Sequence, residues 1–436
     1  MKILLVFPRA EYVPGRKRKG IEPITSLIGE AISLTLPQVA ACTPKGHEVT
    51  IIDENYEKLN FKEDYDLVGI TCLTMNAPRA YEIADRFRSM GIPVVLGGPH
   101  PSALPEEAKQ HADAVVIGEA ELTWPQLLED FEKGELKPFY KADKPVPPDI
   151  IPEPRRDLIK RKYFIDALLV KRGCPNRCEF CMVTSIFNRE IKPIEKVLEE
   201  INNISTRDVC IYDQNLTWNM SYTKELLRRL KETNKRWLAN GTVNVLGRDD
   251  EFLRLAKEAN IYYWYIGFES ISQKSLDGAN KKHNRVEEYE STIKKIKEHG
   301  MIINASFIFG FDEDTPDIFD ATIKTIEKWD IDMAEFHILT PFPGTRLYDR
   351  LKKEGRILTE EWDKYTTATV VFQPKNMSPQ ELFEGTRKVA KSFYTIPKII
   401  KRTIKAFKVT KDLSIALFVL LRNLRYRERY KRQFNF

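Results

Sequence analysis

Two runs of short β-forming segments alternating with helical segments, separated by a proline cluster, constrain this chain more than any other feature. In the first run the β-rich stretches are 2–6, 48–52, 67–72, 93–96 and 114–117, with amphipathic stretches such as 80–89 and 105–111 between them. Strands made almost wholly of Val, Ile and Leu have no polar face to show to water. They therefore read as a parallel sheet covered on both sides. Five such units predict a doubly wound, flavodoxin- or Rossmann-like α/β domain over residues 1–144, with its ligand beyond the carboxyl ends of the strands.

Pro145, Pro147, Pro148, Pro152 and Pro154 then fall within ten residues, which predicts a stiff, extended linker over 145–160. The βα rhythm resumes with strands expected near 165–171, 209–213, 237–243, 262–269, 303–310 and 335–340. Helices are expected at 194–204, 223–234, 251–258, 286–299 and 318–329. Six units predict a partial (β/α)6 barrel over 161–350, whose functional residues gather at the C-terminal strand ends. The remainder, 351–436, reads as a mainly helical, basic extension. Its apolar run 413–421 is bracketed by Lys405, Lys408 and Lys411 and by Arg422, Arg425, Arg427 and Arg429. Such a helix either lies on an anionic membrane surface or acidic partner, or packs on the barrel with a solvated charged face.

Composition excludes several classes. Of the 436 residues, 42% are hydrophobic and 30% charged, which is not a disordered composition, and the length calls for more than one domain. A net charge of +6 spread over this length does not describe a nucleic-acid binder. No stretch approaches the roughly 20 apolar residues of a membrane span, and the N-terminus lacks signal-peptide features, so a cytoplasmic protein is expected.

Three of the six cysteines crowd into Cys174-Pro-Asn-Arg-Cys178-Glu-Phe-Cys181, directly after a predicted strand. That distribution suits a metal site in a reducing compartment, not a disulfide framework. Thiolates are the ligands iron–sulfur clusters require, and three of them leave one iron of a four-iron cubane open. Structural zinc wants four closed ligands, and Cys210, His100 and His111 lie far along the chain. The spacing alone leaves the metal's identity open.

The CxxxCxxC loop at the end of the first strand of a partial barrel resembles the radical S-adenosylmethionine superfamily over about 165–345. The resemblance implies a 4Fe–4S cluster on Cys174, Cys178 and Cys181, with S-adenosylmethionine on the open iron, cleaved to a 5′-deoxyadenosyl radical. Phe180 matches the aromatic that such loops place before the third cysteine. Gly267-Phe-Glu-Ser270 resembles the segment contacting S-adenosylmethionine, with Glu269 as the polar contact. Ser306-Phe-Ile-Phe-Gly310-Phe-Asp-Glu313 resembles the GxIxGxxE pattern, with Ser306 in place of its first glycine. Asp213-Gln-Asn215 closes the second strand, Asn240 lies in the third, and Pro341-Phe-Pro-Gly344-Thr345 follows the sixth.

A doubly wound domain ahead of that barrel resembles the cobalamin-binding subgroup. The matching residues are Gly46-His-Glu-Val, Thr71-Cys-Leu-Thr74-Met-Asn76, Gly97-Gly98-Pro-His100 and Gly118-Glu119. Gly97 and Gly98 would let the backbone approach a large flat ligand, and Thr71, Thr74 and Asn76 would offer hydrogen bonds. The DxHxxG loop of cobalamin-dependent mutases is missing, as in the radical subgroup, so His100 reads as a pocket residue and not a cobalt ligand. A nucleotide is the other ligand for such a fold, but the GxGxxG after the first strand is missing too.

The resemblance implies a C-methyltransferase that moves a methyl group from methylcobalamin to an unactivated carbon after hydrogen abstraction by the deoxyadenosyl radical. It also implies an electron donor such as flavodoxin or ferredoxin, and a lipid, tetrapyrrole or protein side chain as substrate. Non-methylating ring formation or oxidation is the alternative within enzymes, and a corrinoid-carrier or membrane-associated binding protein the alternative outside them. A methylthiotransferase would need a second cysteine triad, which Cys42 and Cys72 do not supply. No acid–base dyad is evident. Tyr365, Phe372 and Phe393 are candidate lid residues, with core packing as their other reading.

Overall fold

A computed structural model describes residues 1–10 and 31–435. The strands, in chain order, are β1 Lys2–Phe7, β2 Glu48–Asp53, β3 Leu67–Thr71, β4 Val94–Gly97, β5 Ala114–Ile117, β6 Phe139–Lys141, β7 Ile165–Leu168, β8 Lys171–Arg172, β9 Glu190–Ile191, β10 Asp208–Ile211, β11 Arg236–Gly241, β12 Ile261–Glu269, β13 Ile302–Phe309 and β14 Met333–Ile338. β1–β6 form one sheet in the order β2-β1-β3-β4-β5-β6, parallel throughout. This is the flavodoxin-like order extended by one strand, with its topological switch at β1 and β3. β6 lies outside the strands the sequence predicts, because Phe-Tyr-Lys is too short to carry a periodic signal.

The second sheet runs β14-β13-β12-β11-β10-β7, also parallel throughout. It is the expected open six-stranded barrel. The segment expected as one strand over 165–171 is split. After Leu168 the chain leaves the sheet, and β8 pairs with β9 as a two-residue antiparallel ribbon at the base of the cysteine loop.

Burial follows the sequence logic. Ile3, Leu4, Leu5, Val6, Leu67 and Val68 are essentially inaccessible because both faces of the first sheet are covered. One face packs Phe87, Val94 and Leu96 and the other Trp124, Leu127 and Leu128. The C-terminal segment is divided between the two sheets. Trp362, Tyr365 and Val371 pack on the first, while Phe372, Leu382, Phe393 and Tyr430 pack on the barrel core. Tyr365, Phe372 and Phe393 are thus core residues.

The proline-rich segment is not extended throughout: it forms two 3-10 turns, Pro148–Ile150 and Arg156–Leu158, and is docked on the fold. Val146 and Ile151 are buried, Gln38 Nε2 donates to Pro152 O at 3.1 Å, and Arg155 N donates to Pro37 O at 3.0 Å.

The Leu413–Phe434 helix closes the N-terminal end of the barrel. Tyr426 OH donates to Glu335 Oε1 at 2.6 Å and accepts from Asn304 Nδ2 at 2.9 Å, while Tyr430 OH accepts from Phe336 N at 2.7 Å. Arg429 Nη2 reaches Glu335 Oε2 at 3.2 Å. Burial alone would raise Glu335, but Arg429 and His337 overcome it and hold the carboxyl near 2. The arginine-rich segment is therefore largely turned inward and not a solvated basic face. No helix among the described residues is long and apolar enough to cross a membrane.

Candidate active site

The cysteine loop is tied down from several directions. It opens at Gly173, whose φ of +70° and 2.5 Å approach of a notional Cβ to Asn188 O leave room for no other residue. Upstream, Val170 N and Lys171 N both donate to Asp213 Oδ1, at 2.8 and 2.9 Å. Asn240 Nδ2 donates to Asp213 O at 2.8 Å, so Asp213 and Asn240 form a staple between β7, β10 and β11. Burial pushes the Asp213 carboxyl up to about 6 and draws the neighbouring Lys171 ammonium down to about 8; each group's charge opposes the other's shift. Within the loop, Glu179 N donates to Ala279 O at 2.9 Å. Its carboxylate takes Arg350 in a two-point ion pair at 2.6 and 3.1 Å.

Cys174, Cys178 and Cys181 are all free thiols. Asn215 Nδ2 donates to Cys174 Sγ at 3.8 Å. Burial raises the Cys178 thiol to about 12 and the Cys181 thiol above its usual value, while the Lys281 ammonium opposes both shifts. A cation beside one buried and one half-buried thiol is the environment a polyanionic thiolate–iron cluster needs, and three soft donors in one loop fit it. The sulfurs do not converge on one point: among the described residues no three His, Cys, Asp or Glu side chains are placed to hold a single ion.

Above the cysteines, β12 breaks register with β13 between Gly267 and Glu269, and Glu269 has a φ of +64°. A bulge with a non-glycine residue in the left-handed region costs about 1–3 kcal/mol, and re-aims the side chain. Glu269 Oε1 accepts from Lys281 Nζ at 2.6 Å, and Glu269 Oε2 from Ser306 Oγ at 3.3 Å, all three buried. Phe180 packs on Phe311 with ring centroids 5.8 Å apart. The turn after β13 is held by Asp314, which accepts from Gly310 N at 3.0 Å, Phe311 N at 3.1 Å and Ser275 Oγ at 2.6 Å. Burial pushes Asp314 up to about 6. Glu313 itself is exposed, so the buried carboxylate lies one residue beyond the motif position.

Between the two sheets lies a cavity of about 440 Å³, a volume typical of ligand sites. Leu5, Gly69, Thr71, Gly97, Gly98, Gly118, Glu119 and Trp124 line it from the first domain, and Leu169, Arg172, Ile186, Phe187, Tyr212 and Gln214 from the barrel side. Gly98, at φ +96°, would drive a Cβ to 2.6 Å from Thr71 Oγ1. A Cβ on Gly69 would come to 2.8 Å from Leu5 and 3.2 Å from Trp124. These absent side chains leave a mostly apolar slot, which fits part of a large planar cofactor.

Thr71, Gly97, Gly98, Gly118 and Glu119 are thus brought together, whereas Thr74, Asn76 and His100 lie outside the cavity. His100 is fully buried on the opposite side, with Nε2 3.2 Å from Glu107 Oε1 and its ring 5.3 Å from Trp362. Asn76 Nδ2 donates to Pro8 O at 2.8 Å. Glu119 shares Arg172 with Glu121 and Glu190 at the seam between the domains. Burial and the neighbouring Glu119 push Glu190 up to about 7 against the pull of Arg172. Asn215 belongs to the Asp213-Gln-Asn215 strand end, whereas Lys281, Asp314, Arg172 and Trp124 are not among the sequence candidates. Only Trp124, just past the Gly118-Glu119 strand end, sits where a motif search would have looked.

A cluster-binding cysteine loop at the mouth of an open parallel barrel, facing a glycine-lined cavity of a flavodoxin-like domain, defines a radical S-adenosylmethionine enzyme with a corrinoid-binding domain. Family models agree: residues 168–326 match the Radical SAM superfamily, 24–128 the B12 binding domain, and 345–420 a domain of unknown function (DUF4070).

The chain is 33% identical to bacteriochlorophyllide d C-12(1)-methyltransferase of Chlorobaculum tepidum over 85% of its length and 84% of the relative's. The fold matches the cobalamin-dependent S-adenosylmethionine radical enzyme OxsB, with aqua-cobalamin and S-adenosylmethionine bound, at TM-score 0.70 and 14% identity. That match covers 93% of this chain and 72% of OxsB. It also matches the methyltransferase TsrM of Kitasatospora setae, with cobalamin and [4Fe-4S] cluster bound, at TM-score 0.63 and 17% identity over 81% and 75% of the two chains. The chain belongs to the cobalamin-binding radical S-adenosylmethionine family. It is an enzyme of the cobalamin-dependent methyltransferase type, using a 4Fe–4S cluster, S-adenosylmethionine and cobalamin, and it requires an external reductant.

Proposed function

We propose that the protein C-methylates a bulky, largely apolar substrate of the tetrapyrrole or lipid kind at an unactivated carbon. The observation that carries this reading is the cavity, because one chamber is lined both by Gly97 and Gly98 and by Tyr212 and Gln214 of the barrel. When bound, the cluster with S-adenosylmethionine supplies a hydrogen-abstracting radical, and cobalamin supplies the methyl group.

The protein's own residues position and exclude. Cys174, Cys178 and Cys181 ligate the cluster, and Lys281 neutralises part of its charge. Glu269, fixed by Lys281 and Ser306, would take the ammonium of S-adenosylmethionine, with Phe180 and the Gly310 turn as further contacts. Asp213 and Asn240 hold the loop in register. Thr71, Gly97, Gly98 and Gly118 receive the cobalamin, and the apolar lining keeps water from a reactive radical. Tetrapyrrole specificity is favoured by the bacteriochlorophyllide-methylating relative. The electron donor is a small acidic redox protein of the flavodoxin or ferredoxin kind.

The test is turnover of reconstituted holoenzyme with reductant, methyl-labelled S-adenosylmethionine and a chlorin or polyprenoid acceptor. The expected result is label in the product, with one S-adenosylhomocysteine and one 5′-deoxyadenosine per methyl. Deoxyadenosine with an unlabelled, altered product would assign ring formation or oxidation instead. Absence of deoxyadenosine would leave only a carrier.

A further inference from the structure

Six of the thirteen large hydrophobic side chains exposed among the described residues fall within residues 396–417: Ile396 (41%), Ile400 (50%), Ile404 (51%), Phe407 (44%), Leu413 (74%) and Leu417 (50%). The first four lie on the Ile396–Thr410 helix, and at about 100° per residue they occupy a sector of about 80°. The helix's buried residues, Ile399, Arg402 and Ala406, occupy a different sector, centred about 120° away. So this helix has two apolar faces, one turned to the protein and one turned out. Leu413 and Leu417 are exposed in the first two turns of the next helix, directly after the turn at Lys411.

Charge surrounds this face on its outer flank. Lys401, Lys408 and Lys411 are exposed, and Lys398 and Lys405 are held by Glu327 and Asp330 of the barrel. The acidic group within residues 396–417 is Asp412, which caps the Leu413–Phe434 helix and pairs with Arg236. A contiguous apolar patch on a soluble fold marks an interaction site. Lysines beside isoleucine and phenylalanine on one helix describe a segment lying in the interfacial plane of a negatively charged bilayer. A second copy of this chain is a poorer occupant, since a two-fold contact would set the lysines of both copies against each other within a protein already carrying +6.

We propose that the outward face of the Ile396–Thr410 helix, with Leu413 and Leu417, docks this enzyme onto an anionic lipid surface. The inference is independent of which carbon is methylated. It also relocates the membrane contact from the arginine-rich end of the last helix, which is packed against Glu335, to the helix before it. The patch is at the N-terminal end of the barrel, where Asp412 meets Arg236 at the start of β11, and the cysteine loop is at the other. Docking therefore tethers the enzyme without covering the cavity.

The test is co-sedimentation of the full-length holoenzyme with vesicles of phosphatidylcholine alone or mixed about 3:1 with phosphatidylglycerol. Binding to the anionic vesicles is expected to exceed binding to the neutral ones at least tenfold and to weaken with salt. Ile400→Gln with Ile404→Gln should reduce it at least tenfold. Lys401→Gln, Lys408→Gln and Lys411→Gln together should reduce it several-fold and flatten the salt dependence. Both variants should keep the cluster absorbance and deoxyadenosine formation of the parent, because the exposed face touches neither site. Failure of the parent to bind anionic vesicles, or binding unaffected by the isoleucine pair, would overturn the proposal. So would a vesicle-free dimer that the isoleucine pair dissociates, which would give the face to a second copy, or capture by soluble polyglutamate without vesicle binding, which would give it to an acidic protein.

Discussion

The two parallel sheets of this protein end in opposite ways. At the carboxyl edge of the first sheet the chain withholds side chains: Gly69, Gly97 and Gly98 leave a slot walled by Leu5, Val116 and Trp124. At the carboxyl edge of the barrel it supplies them, as Asp213, Glu269, Lys281 and Asp314, each buried and each hydrogen-bonded. Space suits a large, mostly uncharged ligand that brings its own reactivity. Preset charge suits a small zwitterion and a cluster that must be held in one orientation. One fold principle, ligands at strand ends, thus serves two binding problems by opposite means.

That contrast can be broken from either side. Gly97→Leu adds a side chain whose Cβ meets Val116 at an ordinary 3.6 Å, so the sheet survives while the slot narrows. Cobalamin retention on gel filtration should fall at least tenfold, with the cluster absorbance unchanged. Loss of both would mean that the two sites are not separable.

On the barrel side, Lys281→Met leaves Glu269 buried without its cation, a change that costs about 3–5 kcal/mol. S-adenosylmethionine affinity, read by isothermal titration, should fall more than tenfold while cobalamin stays bound. Lys281→Arg should recover part of it. Equal affinity in all three proteins would remove Glu269 and Lys281 from the site.

The smallest effect concerns the seam. Glu190 is held near 7, above its ordinary 4.5, so the folded state keeps a proton that the unfolded state releases. Stability from this group is greatest below about 4.5 and is lost as pH rises to about 7. Glu190→Gln should therefore flatten stability across that window and raise it at pH 8 by about 1–3 kcal/mol in denaturant melts. An unchanged pH profile would show that the seam carboxylates are better solvated than their burial suggests.

Much of this was legible in the sequence. Strands buried on both faces are written as nearly unbroken Val, Ile and Leu, and the first sheet announces itself that way. The barrel strands mix polar and aromatic residues into theirs, as in Ile302–Phe309, and are legible instead from their regular alternation with helices. β6 escaped because it is three residues long, and the β7–β8 split because Lys171 buries its ammonium on Leu216 O, Trp218 O and Thr223 Oγ1 and Arg172 its guanidinium on Glu119 and Glu121, which no periodicity records. The cysteine loop was readable because its three ligands are local. Lys281, beside it, comes from a distant segment without a motif, and only the fold brings it in. His100, Thr74 and Asn76 follow strand ends, where cavity-lining residues are expected, yet none of them lines the cavity. The chain turns there, and His100 faces Glu107 and Trp362 instead. Glu313 shows the same sensitivity, since one residue's rotation gives its expected place to Asp314.

The central claim is that a three-cysteine cluster, held by residues other than those of the cobalamin slot, drives radical chemistry. It is tested most directly by replacing Cys174, Cys178 and Cys181 together by Ala and assaying the reconstituted protein under reducing conditions. The expected protein binds cobalamin as the parent does, lacks the brown cluster absorbance and forms no 5′-deoxyadenosine. Deoxyadenosine formed at the parental rate by that variant would contradict the account.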